Sequence, residues 1–412
     1  MKRYAFADSR VGKVLFGIFM FALLMLSRNT LVSTSILGFN LSQYLLLGTV
    51  GIAGLAFLAV NRKQLKQILL DKRLLLAAVF AVIFLLPMLA KRDWQLMYVS
   101  TLLCLLIPIF MTYFISWQDA AKYYVVIMTA LGIYSVLATY ILRILPDRGI
   151  LSVPVFYNSN EIMFHNFGLA FVSDVFVKDR NFGIFREPGV YQYFIILALV
   201  LNNYGVIWQK QSRLWFVNVA LAITMVTTFA TGGVAALGLL VLVVFFDKKL
   251  YQDKRALAVA VLVVVAAVIL VIVSIIQKNA LYWALWDMIV WKLMMGSESA
   301  SDRTMSIVLN VQFFLGNPLF GDRIATVLHS ITNNTSSSTL MGAMFGLPGL
   351  AVHVVSWVAM LWEKQRKFWV NFALVVIMFV AFNTQNMVAD VFFWLFPVMA
   401  LTEKLEQRKK KV

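Results

Sequence analysis

The chain has 412 residues, 61% of them hydrophobic and only 13% charged, with a mean hydropathy of +0.83. That balance excludes an ordinary water-soluble domain and predicts a polytopic membrane protein. The formal charge of +17 has to be read from its placement, and the single cysteine, Cys104, excludes an intramolecular disulfide and a cysteine metal site.

About 20 apolar residues cross a bilayer core as a helix. Lys2, Arg3, Arg10 and Lys13 precede the first apolar run in the manner of a signal peptide, yet no small-residue cleavage site follows Leu26, so the run reads as an uncleaved span. Spans are predicted at residues 11–27, 41–60, 74–90, 96–116, 123–142, 190–208, 214–230, 232–246, 256–276, 339–362, 368–382 and 387–401, twelve in all. The stretch 387–401 is short for a crossing, and Thr231, Gly232 and Gly233 leave only a tight turn between two of these spans.

With both termini inside, 24 of the 36 Lys and Arg fall in cytoplasmic segments and 12 in external ones, the asymmetry of the positive-inside rule. The basic excess is then a topology signal and a contact with anionic membrane lipid, and nucleic acid is excluded as a partner. The fold expected is all-α, one membrane domain over 1–412, with two large outer segments, 143–189 and 277–338, that carry short helices.

The first outer segment closes with Arg180-Asn-Phe-Gly-Ile-Phe-Arg186-Glu187-Pro188-Gly189, directly before a span. An arginine fork at a helix N-terminus suits a phosphate group. The same residues also read as a snorkelling arginine paired with Glu187 at the membrane edge. His165, beside Asn166, reads as structural.

In the second outer segment, Tyr282, Trp283, Trp286 and Trp291 enrich 280–294 in the aromatic residues that favour the headgroup level. The run from Gly296 to Ser301 breaks that helix, and Ser301 is placed to cap a new one running to about Leu315, with Asn317-Pro318 as its stop. Arg303 and Arg323 follow Asp302 and Asp322, an arrangement equally open to solvated ion pairs. Gly342 and Gly346 fit close helix packing, and His353 reads as a packed core residue.

Arg186-Glu187-Pro188-Gly189, the helix from Ser301-Asp302-Arg303 to Asn317-Pro318-Leu319-Phe320-Gly321, and the polar turn and glycine bend from Asn334 to Gly349 together resemble the Wzy-type O-antigen and capsular polysaccharide polymerases of the O-antigen polymerase/ligase superfamily. The resemblance covers roughly residues 180–350. Two departures stand out: Gly321 is followed by Asp322-Arg323 where the family often has Gly-x-Gly, and His329 precedes Asn333 by four residues where ligase-like members place His beside Asn.

The resemblance implies a glycosyltransferase C-like helical architecture in the bacterial cytoplasmic membrane. It further implies metal-independent and cofactor-independent transfer between two undecaprenyl-diphosphate-linked oligosaccharides, donor and acceptor. A chain-length regulator and a flippase are the protein partners it brings. In that reading Arg186, Arg303 and Arg323 hold the diphosphate, Glu187 or His329 is the general base, and Arg180, Asn317 and Asn334 support them. A ligase-type glycan transferase and a lipid-linked oligosaccharide flippase remain alternatives. Against a transporter, the span interiors hold few ionisable residues beyond His353 and Asp390, and no internal repeat is visible.

Overall fold

The computed structural model describes residues 10–38, 41–42, 44–46, 48, 51, 71–158, 161–173, 180–278, 298–330 and 334–407. Among the described residues the chain is mostly helical, at 73%. The predicted span 41–60 and the aromatic stretch 280–294 lie largely or wholly outside the described residues.

Helix α1 (Arg10–Met25) is followed by a π-helical turn at Val32–Ile36. Then come α2 (Lys72–Lys91), α3 (Leu96–Met111) and α4 (Trp117–Leu137), the last extended by a π-helical turn at Ala138–Leu142. Caps fix two of the starts. Asp71 accepts from the Arg73 backbone N at 3.0 Å, and Ser116 accepts from Asp119 N at 3.1 Å. After the segment 143–187 run α5 (Pro188–Tyr204), α6 (Gln211–Thr227), α7 (Thr231–Asp247) and α8 (Lys254–Gln277). The remaining helices are α9 (Glu298–Gly316), α10 (Ile324–Ser330), α11 (Ser337–Leu361), α12 (Phe368–Phe382) and α13 (Val391–Gln407).

Among the described residues, three helices are long and apolar enough to cross a membrane: Lys72–Lys91, Trp117–Asp147 and Ser337–Leu361. Their outward faces are compatible with lipid. On α2, Leu75, Val79, Val82, Leu86 and Leu89 are exposed at alternating steps of four and three residues, one continuous apolar stripe. By contrast α5 and α13 are buried over nearly their whole length, which accounts for their being apolar all round. Tyr124 of α4 stacks on Phe392 at 5.2 Å, and Tyr193 and Phe194 of α5 fill the same centre.

The helical expectation holds for most of the described residues, and the segment 143–189 carries a short helix, Ile144–Asp147, and in addition a small sheet that was not expected. Three short strands, β1 (Val155–Tyr157), β2 (Met163–Asn166) and β3 (Phe171–Ser173), form an antiparallel sheet with Phe156 opposite Phe164 and His165 opposite Val172. Aromatic packing explains it. Phe156 stacks on Phe164 at 5.6 Å and meets Phe171 edge-on at 5.2 Å, the cross-strand contacts that stabilise sheets.

Three boundaries also move. Thr231, Gly232 and Gly233 form the first turn of α7, not the connection before it, which turns at Phe229 with φ +48°; Gly233 packs closely, since a Cβ there would lie 2.6 Å from the Met225 sulfur and 2.7 Å from the Gln192 Cβ. The last helix is Val391–Gln407 rather than 387–401, since Asp390 takes the Phe392 N–H at 2.9 Å and the helix continues through Thr402 and Glu403. Ser301 lies inside α9, which already begins at Glu298, and α9 stops at Gly316 before Asn317-Pro318.

Polar contacts sort the helix ends into two groups. At one end Arg73 donates to the Thr112 carbonyl at 3.2 Å and to Glu406 at 2.8 Å, Glu403 accepts from Trp117 N at 2.9 Å, and Lys404 donates to the Trp362 carbonyl at 2.8 Å. At the other end lie the sheet, α9, α10 and the starts of α5, α11 and α13.

Candidate functional site

The segment from Arg180 to Glu187 is held by buried polar contacts. Asn181 donates to Ser135 Oγ at 2.9 Å and Thr227 Oγ1 at 3.0 Å, and its own carbonyl oxygen Oδ1 accepts from Gly183 N at 2.9 Å. Gly183 has φ +55°, and a side chain there would meet the Tyr191 ring at 2.7 Å. Phe185 packs on Tyr191 and Phe194 at centroid distances of 5.0 and 4.3 Å. These anchors fix the chain while leaving Glu187 exposed at the N-cap of α5, with Pro188 in the first turn.

Glu187 is the electrostatic centre of this end. Its carboxylate accepts from Gln385 Nε2 at 3.2 Å, and it acts on both Arg180 and Arg303. Burial pushes both guanidinium groups below the usual arginine range, and Glu187 pulls each back toward it. Arg180 is anchored by donation from Nε to the Thr228 carbonyl at 3.0 Å. Arg303, on α9, belongs to the long segment 277–338, so each long segment brings a guanidinium within the electrostatic influence of one carboxylate, while among the described residues no ion pair closes between them. Among the described residues, the buried Nε atoms of Arg186 and Arg303 have no hydrogen-bond partner.

A band of amides and hydroxyls borders the arginines. Gln192 donates to Thr384 at 2.7 Å, and Ser337 donates to the Gln385 carbonyl at 2.6 Å while accepting from Met387 N at 2.9 Å. Asn383 accepts from Ser336 Oγ and Ser338 N. Asn334 exchanges side-chain hydrogen bonds with Asn310 at 2.8 and 3.1 Å, and Asn310 also donates to Thr339 at 3.0 Å. Asn334 therefore fastens α9, the helix of Arg303, to the start of α11.

The other residues singled out in the sequence are placed differently. Asn317 is exposed, and its carbonyl accepts from Gly321 N at 2.7 Å. This turn packs on the kink of α11: Leu347 N donates to the Pro318 carbonyl at 2.7 Å, and a Cβ at Gly346 would lie 2.5 Å from the Leu319 backbone. A Cβ at Gly342 would lie 3.3 Å from the Phe314 ring of α9. Arg323 and His329 are exposed, and among the described residues no hydrogen bond or ion pair joins either to Glu187. His353 is buried, stacked on Phe393 at 5.1 Å and bonded to Ser338 at 3.1 Å.

Sequence reasoning missed Gln385 and Asn383. The signal was there: Asn383-Thr384-Gln385-Asn386 is a polar tetrad interrupting an apolar run. The arrangement can bind an anion with forked cations beside a solvent-accessible carboxylate. No family model, no curated protein and no solved structure matches the chain.

Proposed function

We propose that the protein is a membrane glycosyltransferase that joins oligosaccharide repeat units carried on polyprenyl diphosphate, at the outer face of the bacterial cytoplasmic membrane. The observation that supports this reading is that Arg180 and Arg303, from the two long segments, both lie within the electrostatic influence of Glu187, with Arg186 next to it in sequence and the buried Nε atoms of Arg186 and Arg303 without a hydrogen-bond partner. A diphosphate leaving group needs such cations.

In the proposed reaction a hydroxyl oxygen of the acceptor sugar attacks the anomeric carbon of the donor. The bond from that carbon to the diphosphate oxygen breaks, and the lipid diphosphate leaves with the electron pair. Glu187 accepts the hydroxyl proton, and Arg186 and Arg303 take up the charge developing on the leaving oxygen. Arg180 and Asn334 act indirectly, by anchoring the segments that carry these groups. The twelve crossings, with both termini cytoplasmic and both long segments outside, belong to the same proposal; the charge asymmetry and the two-ended sorting of polar contacts support them.

Ladder formation from purified lipid-linked repeat units by the detergent-solubilised protein tests the reading. Polymerisation needs neither a sealed compartment nor an ion gradient. A folded protein that forms no ladder from its cognate substrate would favour transport or transfer to another acceptor.

A further inference from the structure

At the helix ends opposite those that carry Glu187, the last turn of α5, the end of α7 and the connection between α11 and α12 enclose a cleft of about 370 Å³. Its lining includes Tyr204, Asp247, Lys248, Glu363, Arg366 and Lys367. Three cations thus share one cleft with two carboxylates.

Printed on the backbone is a set of contacts that holds the cleft in shape. Arg366 donates from Nη1 to the Leu361 carbonyl at 2.8 Å and from Nη2 to the Tyr204 carbonyl at 3.4 Å, which ties the α11–α12 connection to the end of α5. Asn371 braces the same connection by donating to the Glu363 carbonyl at 2.9 Å. The Tyr204 ring serves two cations, with the Arg366 guanidinium 4.8 Å and the Lys248 ammonium 5.4 Å from its centroid. Lys248 keeps 50% of its side chain exposed, 4.0 Å from the Asp247 carboxylate, and Lys367 is exposed. Both lysines are free to turn toward an incoming anion.

What borders the cleft narrows the choice of anion. Directly after Lys367, α12 exposes Phe368, Phe372, Val376 and Val380 at steps of four residues. On α7, which packs against α12, Leu239, Leu242 and Phe246 are exposed at steps of three and four, ending beside Asp247. Two apolar stripes therefore run up to a cationic cleft. Hydrocarbon chains lie against such stripes, and a phosphate joined to those chains comes to the level of the helix ends. A free anion would use the cations and leave the stripes unused.

We propose that this cleft binds the phosphodiester headgroup of an anionic phospholipid, with Lys248 and Lys367 as its charged contacts, Arg366 and Tyr204 as the frame, and the acyl chains along α7 and α12. The cleft lies at the other end of the helices from Glu187, so the proposal does not rest on the glycosyltransferase reading. It narrows the general attraction of a basic membrane face to one site.

The test is native mass spectrometry of the detergent-solubilised full chain titrated with phosphatidylglycerol and, separately, with phosphatidylcholine, whose headgroup has no net charge. Phosphatidylglycerol is expected to bind in preference. Lys248→Gln and Lys367→Gln, changes at exposed side chains, are each expected to weaken it by about fivefold, the size of one lysine's attraction at a lipid surface. Lys249→Gln and Lys364→Gln remove the same charge from the same two connections but do not line the cleft, and they are expected to leave the affinity unchanged. Equal losses in all four variants would mean a diffuse basic surface and would overturn the proposal, as would equal binding of the two lipids. Inorganic phosphate in excess is expected not to displace the lipid; displacement that follows the phosphate concentration would make this a site for free phosphate and overturn the lipid assignment.

Discussion

The side-chain amide of Gln385 donates to Oε2 of Glu187 across 3.2 Å, joining residues 198 positions apart. Gln385 is buried in the connection between α12 and α13, while Glu187 is exposed at the start of α5. The carboxylate proposed to receive the acceptor proton is thus oriented from a buried part of the chain.

Gly189 tests that relationship. A Cβ there would lie 2.7 Å from Gln385 Nε2, the far end of a flexible side chain. Gly189→Ala is therefore expected to displace the amide from Glu187 at a stability cost under about 1 kcal/mol, because the glutamine can turn aside. Polymer yield should fall in Gly189→Ala and in Gln385→Ala alike, with the double variant no worse than either. Additive losses in the glycan assay would mean that Gly189 acts through something other than Gln385.

The docking of the Asn317-to-Gly321 turn on α11 gives a stability prediction. Gly346 has φ +66° and its missing Cβ leaves room for the Leu319 backbone at 2.5 Å. Gly346→Ala strains the backbone and forces two chain segments apart, an expected loss of ~2 kcal/mol or more. Thermal unfolding of the solubilised protein checks this, and an unchanged midpoint would show that the turn does not bear on α11.

Topology is tested by labelling. Ser152 in the segment 143–189 and Gln365 between α11 and α12 are both exposed, while the native Cys104 is buried and gives no background. An impermeant maleimide on intact cells is expected to label Ser152→Cys, and to label Gln365→Cys only after permeabilisation. The opposite pattern would invert the orientation.

Much of the helical frame was legible because apolar length is a local property. Phe368–Phe382 matches its predicted bounds, and the proline after Asn317 marks the end of α9. The sheet was not legible, although Val155, Phe156 and Tyr157 have strand-forming side chains. Three-residue strands depend on partners such as Phe171, and the polar composition of the segment outweighed them. The site was legible in part. Arg180, Arg186, Glu187 and Arg303 could be picked out as charged residues beside punctuation residues, whereas Gln385 matters through a contact with a residue 198 positions away. Arg323 and His329, which the resemblance implies as cation and base, lie just before and within the short helix α10, and both are exposed.

The most direct test is the rate of glycan ladder formation by solubilised protein carrying Arg303→Lys, compared with the native chain and with Arg186→Ala. An ammonium keeps the charge of Arg303 but loses the fork that matches phosphate oxygens. Arg303→Lys is expected to insert and fold normally while losing about tenfold or more in rate, on the scale of one charge-assisted contact, and Arg186→Ala to lose at least as much. A native rate and native chain length in Arg303→Lys would contradict the account, leaving Arg303 as a residue of the protein's surface and not of its chemistry.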